Sequence, residues 1–493
     1  MVGNFRYKFA KCMGKLGNFL VHLNGGMGKS FPGWLFLHVG SYEALNNLAK
    51  EPEIGSVIVT GTNGKTTTTT MLIKLLSKDA QICYNFESNT VNAIATGLLQ
   101  GKSELGVFEY GIRDFEHGIP GEVQRLVDPI GVVYTTISRE HTQVLGIKNP
   151  FDKYLAAKRE LSLNMKRGVI VANVDDPRTV YIGKNKEKDV PVNYFGLDID
   201  YNDIFPERDV ECPICGRKLQ YSKRFLNHRG IYQCECGFKR PEPNVKITKL
   251  QTSPNRWFIT IEGNVYNYPN DTNVSFKIDT DVPPFGIHNI YNTLCSTTAY
   301  ASFTPKIENI EKTACEVFEG LTMAILPPGR FEVVKLNDGK MVGLGQGDNG
   351  DALKVNVLFM NQYIDNKLEF IYTTPDVGEE EVFEDHLEAI RAINPDHLIV
   401  IPGRESVEIA REYYNQIKDE FNADFYPYPY SEMEKRIKGI VKLILNSGYK
   451  NIIVSGCGEE QAMWERIKQE IKKERYFFIF YSVFFTFFDL FFF

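Results

Sequence analysis

The 493-residue sequence predicts an α/β protein with a central domain whose mostly parallel sheet is built on a glycine loop, a cysteine-rich insertion, and a C-terminal Rossmann-like α/β domain. Three observations carry this. A short β-branched run, Ile54-Gly55-Ser56-Val57-Ile58-Val59, leads straight into Thr60-Gly61-Thr62-Asn63-Gly64-Lys65-Thr66-Thr67 and then a helical pattern at 71–76. Apolar runs at 106–110, 130–137 and 169–174 alternate with helical patterns, as in a parallel sheet covered on both faces. After Pro327-Pro328-Gly329 the rhythm restarts, with strands expected near 368–372, 397–401 and 451–455.

The expected organisation is a basic lead (1–50), a central domain (51–326) interrupted at 209–243, a C-terminal domain (327–475) and an aromatic tail (476–493). No internal repeat is visible. A net charge of −6 with 43% hydrophobic and 24% charged residues describes a globular chain and calls for no nucleic-acid partner. Nine cysteines, four of them between Cys212 and Cys236, suit a metal cluster and buried thiols in a reducing compartment better than disulfides. With no apolar leader and cleavage site at the N-terminus, a cytoplasmic enzyme is expected. The tail YFFIFYSVFFTFFDLFFF is short for a bilayer span and carries Asp489. An artefactual end, a membrane-touching peptide and a packed strand all fit it, and it is assigned no role.

In the glycine loop, Gly61 and Gly64 let backbone amides approach phosphates, the following helix presents its positive end, and Lys65 adds a point charge. Thr66 is then placed to reach magnesium. The spacing G-x-x-G-K-T is shorter than the usual G-x-x-x-x-G-K-T, and a plain strand-to-helix turn is the alternative. Glu109 ends a strand at the same carboxyl edge, as a magnesium ligand or an ordinary strand-end acid. The next strand runs into Thr135-Thr136-Ile137-Ser138-Arg139-Glu140-His141, bringing an imidazole to that edge, as a metal ligand or a surface histidine. Lys158, in Tyr154-Leu155-Ala156-Ala157-Lys158, is either a solvated charge or, if buried, an amine able to take up carbon dioxide as a carbamate and so offer oxygen to a second metal.

Cys212-Pro213-Ile214-Cys215-Gly216 and Cys234-Glu235-Cys236-Gly237 offer four thiolates, enough for a closed, structural zinc site. Because the second pair is C-x-C, His228 is an alternative ligand.

The string TGTNGKTTT, Glu109, the R-E-H turn, the Y-L-A-A-K helix, Val171-Ala172-Asn173-Val174-Asp175-Asp176-Pro177, Gly286-Ile287-His288-Asn289-Ile290-Tyr291-Asn292 and Pro328-Gly329-Arg330-Phe331-Glu332 occur in the order found in Mur ligases. The resemblance extends over nearly the whole chain before the tail. It implies ATP held by Gly61, Thr62, Asn63, Gly64, Lys65, Thr66 and Thr67, with Asn292 facing adenine and Arg330 reaching the nucleotide. It implies Mg2+ on Thr66, Glu109 and His141, and a catalytic set of Lys65, Glu109, His141 and Lys158, the last as the carbamylated lysine. The insertion, with Asn227-His228-Arg229-Gly230-Ile231-Tyr232, resembles the zinc ribbon of the MurT-like subgroup, as do Gly25-Gly26-Met27-Gly28-Lys29-Ser30-Phe31-Pro32-Gly33 and Ile401-Pro402-Gly403-Arg404-Glu405. Zn2+ on Cys212, Cys215, Cys234 and Cys236 would be structural.

Three segments depart from that subgroup or from standard Mur ligases. Ser138-Arg139-Glu140-His141 replaces a D-Q-L-D-R-Y-G-like turn, and the tryptophan-rich aspartate motif is represented only by the region around Asp385. Of a D-x-x-H-N-P segment, Asn349 alone is clearly retained. The resemblance implies an ATP-dependent carboxylate–amine ligase acting through an acyl phosphate on a nucleotide- or lipid-linked cell-wall peptide, with an amino acid as partner substrate, closest to methanogen pseudomurein peptide ligases. The alternative is an amidating subunit that receives ammonia from a GatD-like glutaminase. A non-catalytic ATP-binding scaffold and a folylpolyglutamate synthase, which lacks the ribbon, are the remaining readings.

Overall fold

The computed structural model describes residues 2–23, 28–85, 88–138, 150–187, 189–201, 209–253, 255–325, 329–364, 367–376, 378–404, 406–457 and 462–473; His141 and the tail lie outside them. The described residues divide into two compact units with the boundary after Ile325.

The first unit opens with three helices, α1 (Val2–Leu23), α2 (Phe31–Gly40) and α3 (Glu43–Leu48). The lead expected as a separate segment is therefore helical and packed on this unit: α2 lies on both α1 and the later helix Val91–Leu98. The strands that follow are β1 (Gly55–Thr60), β2 (Ile82–Tyr84), β3 (Leu105–Glu109), β4 (Gly131–Tyr134), β5 (Val169–Asn173), β6 (Val192–Leu197), β7 (Gln220–Leu226), β8 (Arg229–Gln233), β9 (Val245–Gln251), β10 (Trp257–Asn267) and β11 (Thr272–Val282). Nine of them form one sheet in the order β11-β10-β9-β6-β5-β4-β1-β3-β2. From β2 to β9 every neighbouring pair is parallel, and β4 and β5 are buried at every position, as helices on both faces require. Intervening helices are α4 (Lys65–Leu76), α5 (Val91–Leu98), α6 (Pro120–Val127), α7 (Pro150–Leu163), α8 (Pro177–Lys184) and α9 (Ile287–Phe303). Ile58, Phe108, Val132 and Ile170, one from each of four adjacent strands, join a single core with residues of α2, α3, α5, α6 and α7.

Two features were not anticipated. Strands β9, β10 and β11 extend the sheet as an antiparallel meander, with Phe276, Ile278, Thr280 and Val282 buried at alternate positions of β11. The run 130–137 is strand only to Tyr134, because after Thr135 N donates to Thr60 O the segment turns to bond with the glycine loop and Asp176, as detailed below.

The second unit carries β12 (Glu332–Lys335), β13 (Met341–Gln346), β14 (Leu368–Thr373), β15 (His397–Ile401), β16 (Ala423–Phe425) and β17 (Asn451–Gly456), ordered β12-β13-β17-β14-β15-β16. Only β12 runs antiparallel. Ile371, Ile399 and Val454 pack on Ile437, Ile440 and Trp464 beneath this sheet.

Candidate functional site

Strand β1 lies between β3 and β4, with Val59 level with Glu109 and Thr60 level with Tyr134. The carboxyl ends of three adjacent parallel strands therefore open onto one rim, and the glycine loop occupies its middle. Gly61 and Gly64 both have positive φ, +150° and +84°. Each is also crowded: a Cβ on Gly61 would sit 2.0 Å from Thr135 Oγ1, and one on Gly64 would sit 2.3 Å from Asn292 Oδ1. Glycine is demanded twice over, by conformation and by space.

The loop is tied to the segment leaving β4. Thr62 N donates to Thr136 O (2.7 Å), Ser138 N to Thr62 Oγ1 (3.0 Å), and Thr135 Oγ1 to Asn63 O (2.6 Å). Helix α4 begins at Lys65 directly behind Gly64, which has no side chain to cap it. An uncapped helix start behind a glycine loop suits an anion. Lys65 Nζ folds over the loop, donating to Gly61 O (3.0 Å) and Thr62 O (2.7 Å). Thr66, in the first turn, is half-buried, and Thr67 is buried.

Glu109 is half-buried, and its backbone is clamped by Asn85 in both directions: Glu109 N donates to Asn85 Oδ1 (2.8 Å) and Asn85 Nδ2 to Glu109 O (2.7 Å). With the Thr66 hydroxyl it offers the hard oxygen donors that magnesium prefers. Lys158 on α7 is 1% exposed, so of the two readings the solvated one is excluded. Its Nζ donates to Gly61 O (3.2 Å) and Ile112 O (3.2 Å) and lies 4.4 Å from the Tyr154 ring centroid. Tyr154 OH in turn lies 2.8 Å from Thr62 Oγ1. Tyr154 was not singled out from the sequence, although its spacing of four from Lys158 puts both on one helix face.

Asn292, near the start of α9, accepts from Thr68 Oγ1 (3.3 Å) and donates to Asn289 Oδ1 (2.8 Å), so its amide buttresses the loop and α4. Arg330 belongs to the second unit, where its carbonyl accepts from Lys468 Nζ (2.9 Å). Asp385 also lies there, its Cβ 2.3 Å from where a Cβ on Gly350 would stand, beside the helix that Asn349 caps.

Four cysteines form the other cluster. The sulfurs of Cys212, Cys215, Cys234 and Cys236 all lie within 4.8 Å of one another, with Cys212–Cys236 and Cys215–Cys234 at 3.6 Å. A tetrahedral zinc with bonds of about 2.3 Å sets sulfurs about 3.8 Å apart, so the four fit that ion. Two turns present them, each with a glycine at positive φ: Gly216 N donates to Cys212 O and Gly237 N to Cys234 O, both at 2.9 Å. The C-x-C spacing thus still makes a knuckle. His228 does not substitute for one of them: the four sulfurs close the cluster, and the His228 Nε2 lies 3.3 Å from Asp176 Oδ2.

That contact joins the ribbon to the rim. Burial alone would raise the Asp176 carboxyl, but His228 beside it holds the group well below the usual range. Asp176 also accepts from Ile137 N (2.7 Å), which steadies the segment that leads toward His141. Asp175, raised by burial, accepts from Arg240 (2.7 Å) and Tyr291 OH (2.9 Å). Val174 and Val180 share a core with Cys212, Tyr232 and Phe238, so the ribbon is packed on the unit it interrupts.

Residues 59–229 match the Mur ligase middle domain. The chain is 28% identical over 280 residues to the MurT subunit of the glutamine-hydrolysing lipid II isoglutaminyl synthase of Streptococcus pneumoniae, covering 55% of this chain and 57% of that one. The match thus spans little more than half the relative's length. Among solved structures, a pseudomurein peptide ligase type C from Methanothermus fervidus superposes with a TM-score of 0.63 at 22% identity, over 87% of this chain and 80% of that one. MurF ligase from Thermotoga maritima, solved in complex with ADP, gives 0.57 at 14% identity over 88% and 83%.

Proposed function

We propose that this chain, whose residues 59–229 are a Mur ligase middle domain, is an ATP-dependent ligase that joins an amine to a carboxylate on a cell-wall peptide precursor. The observation that carries this reading is the gathering of an uncapped helix start, Lys65, Glu109 and buried Lys158 at one rim of a parallel sheet.

The first step transfers the γ-phosphoryl group of ATP to a substrate carboxylate oxygen, breaking the bond to ADP and forming an acyl phosphate. The amine lone pair then attacks the acyl carbon, inorganic phosphate leaves with the carbon–oxygen electron pair, and the amine proton passes to solvent. Such chemistry is governed by positioning and charge neutralisation. Amides of the loop and of the first turn of α4 hold the phosphates, and Lys65 swings from its loop carbonyls onto the triphosphate. Magnesium, when bound by Thr66 and Glu109, with His141 as a further ligand, offsets the charge of the phosphates. Lys158, buried against Gly61, is the residue to carry a carbamate at this rim, Asn292 holds the loop beside the nucleotide, and Arg330 is assigned to the nucleotide by the resemblance alone. Zinc on the four cysteines is structural.

The substrate is a nucleotide- or lipid-linked peptide, the amine an amino acid, and the compartment the cytoplasm; synthesis of a pseudomurein-type peptide is the favoured setting. The ribbon and the likeness to MurT favour one second reading, an amidating subunit fed with ammonia by a GatD-like glutaminase. Incubation with ATP, magnesium and a panel of nucleotide-linked peptides and amines, read by mass, tests both. A product heavier by one amino acid less water supports the first; a product amidated by ammonia alone supports the second. ADP release that ignores every acceptor refutes both.

A further inference from the structure

Helix α1 has three distinct faces. Ala10, Gly14 and Gly17 are buried against the body: a Cβ on Gly14 would lie 3.1 Å from Phe36 Cβ, and one on Gly17 3.1 Å from Leu35 Cδ2. Phe5, Phe9, Leu16, Phe19, Leu20 and Leu23 recur at helical spacing on the outer side, and all are exposed, Phe5 by 75% and Leu23 by 65%. Exposed Lys8 and Lys15 fall between the two faces. Helix α2 adds exposed Phe31 and Trp34, whose rings stack at 5.9 Å.

This concentration is unlike the rest of the molecule. Nine of the thirteen large apolar side chains exposed among the described residues fall between Phe5 and Tyr42. The same stretch, residues 1–42, holds five Lys or Arg and no Asp or Glu, in a chain of net charge −6. Apolar exposure on this scale marks an interaction surface. An apolar stripe flanked by lysines, with a tryptophan beside it, matches a helix lying in the boundary of an anionic bilayer. No described helix is long and apolar enough to cross a membrane.

We propose that the outer face of α1, with Phe31 and Trp34, docks on an anionic lipid surface. The apolar stripe enters the headgroup boundary while Lys8 and Lys15 meet lipid phosphates. This inference stands apart from the ligase reading, since binding to lipid needs no turnover.

The full chain is mixed with vesicles of phosphatidylcholine alone, or with an equal part of phosphatidylglycerol, and the bound fraction is read by flotation. Binding to the anionic vesicles is expected, weakening as salt rises. It should fall more than about tenfold in Phe9→Asp/Phe19→Asp and about fivefold per lysine in Lys8→Ala/Lys15→Ala. All four positions are exposed, so the melting temperature should hold, and the aromatic C-terminal stretch is common to every variant, so the differences report the helix. No binding by the parent chain, or equal binding by parent and variants, overturns the proposal. So does a dimer in solution that the Phe9 and Phe19 substitutions dissociate while vesicles go unbound, which would give this face to a second copy.

Discussion

Lys158 Nζ donates to the carbonyl of Gly61 at 3.2 Å, across 97 residues of chain, so a fully buried amine touches the first glycine of the phosphate loop. Removing it should disable chemistry more than folding. Lys158→Ala is expected to lower ADP release by at least about a hundredfold, and short-chain carboxylic acids should restore part of it if a carbamate supplies the missing oxygens. Turnover of the variant near the parent level, without added acid, would exclude a role for this residue.

The second glycine is coupled to Asn292. Gly64→Ala forces a methyl group into 2.3 Å contact with Asn292 Oδ1 at a φ of +84°. The left-handed conformation alone costs about 1–2 kcal/mol. Nucleotide affinity should fall at least about tenfold, and adding Asn292→Ala should recover the steric part but not the conformational part. A double-mutant cycle on ADP affinity checks this, with a coupling other than zero as the expected result.

Cys212→Ser should lower zinc content and melting temperature together, because structural zinc contributes its binding energy to folding. The loss should reach the main unit, since Cys212 shares a core with Val174 and Val180. Metal analysis beside a thermal melt is the measurement.

In the second unit, burial pushes the His386 imidazole down to about 3, where Tyr372 OH bonds to it at 2.9 Å. The unfolded chain takes up a proton near pH 6.5 that the folded chain refuses. This group therefore weakens the fold as pH falls from about 6.5 toward 3, by about 1.4 kcal/mol per pH unit. His386→Gln should flatten that part of the stability–pH profile while costing some stability at pH 8, and thermal melts across the range would register both.

How far the sequence could be read depended on how local each cause was. The loop was legible because glycines, lysine and threonine act within eight residues, and Glu109 because a strand end sets its own edge. Lys158 left its burial open, since two alanines permit close packing without requiring it. Burial follows from α7 lying over the loop, a contact between segments 97 residues apart. His228 misled as a spare zinc ligand because ligand spacing says nothing of the Asp176 carboxylate that comes to meet it. The run 130–137 ends as strand at Tyr134, since the segment beyond it keeps strand-like composition while its hydrogen bonds go to the glycine loop, to Thr60 and to Asp176. The lead was recognised as basic, but its outer apolar stripe acquires meaning only once Gly14 and Gly17 show which side is covered.

The central claim is that three neighbouring strand ends form one cradle for a triphosphate and its cation. Titration of ATP with magnesium into the parent chain, Lys65→Ala and Glu109→Ala, beside melts of each, tests it directly. Lys65 loses only two loop contacts on truncation, so its variant should melt near the parent while binding ATP at least about tenfold more weakly. Glu109→Ala should bind more weakly only when magnesium is present. Equal affinities in all three proteins, with and without the metal, would contradict it.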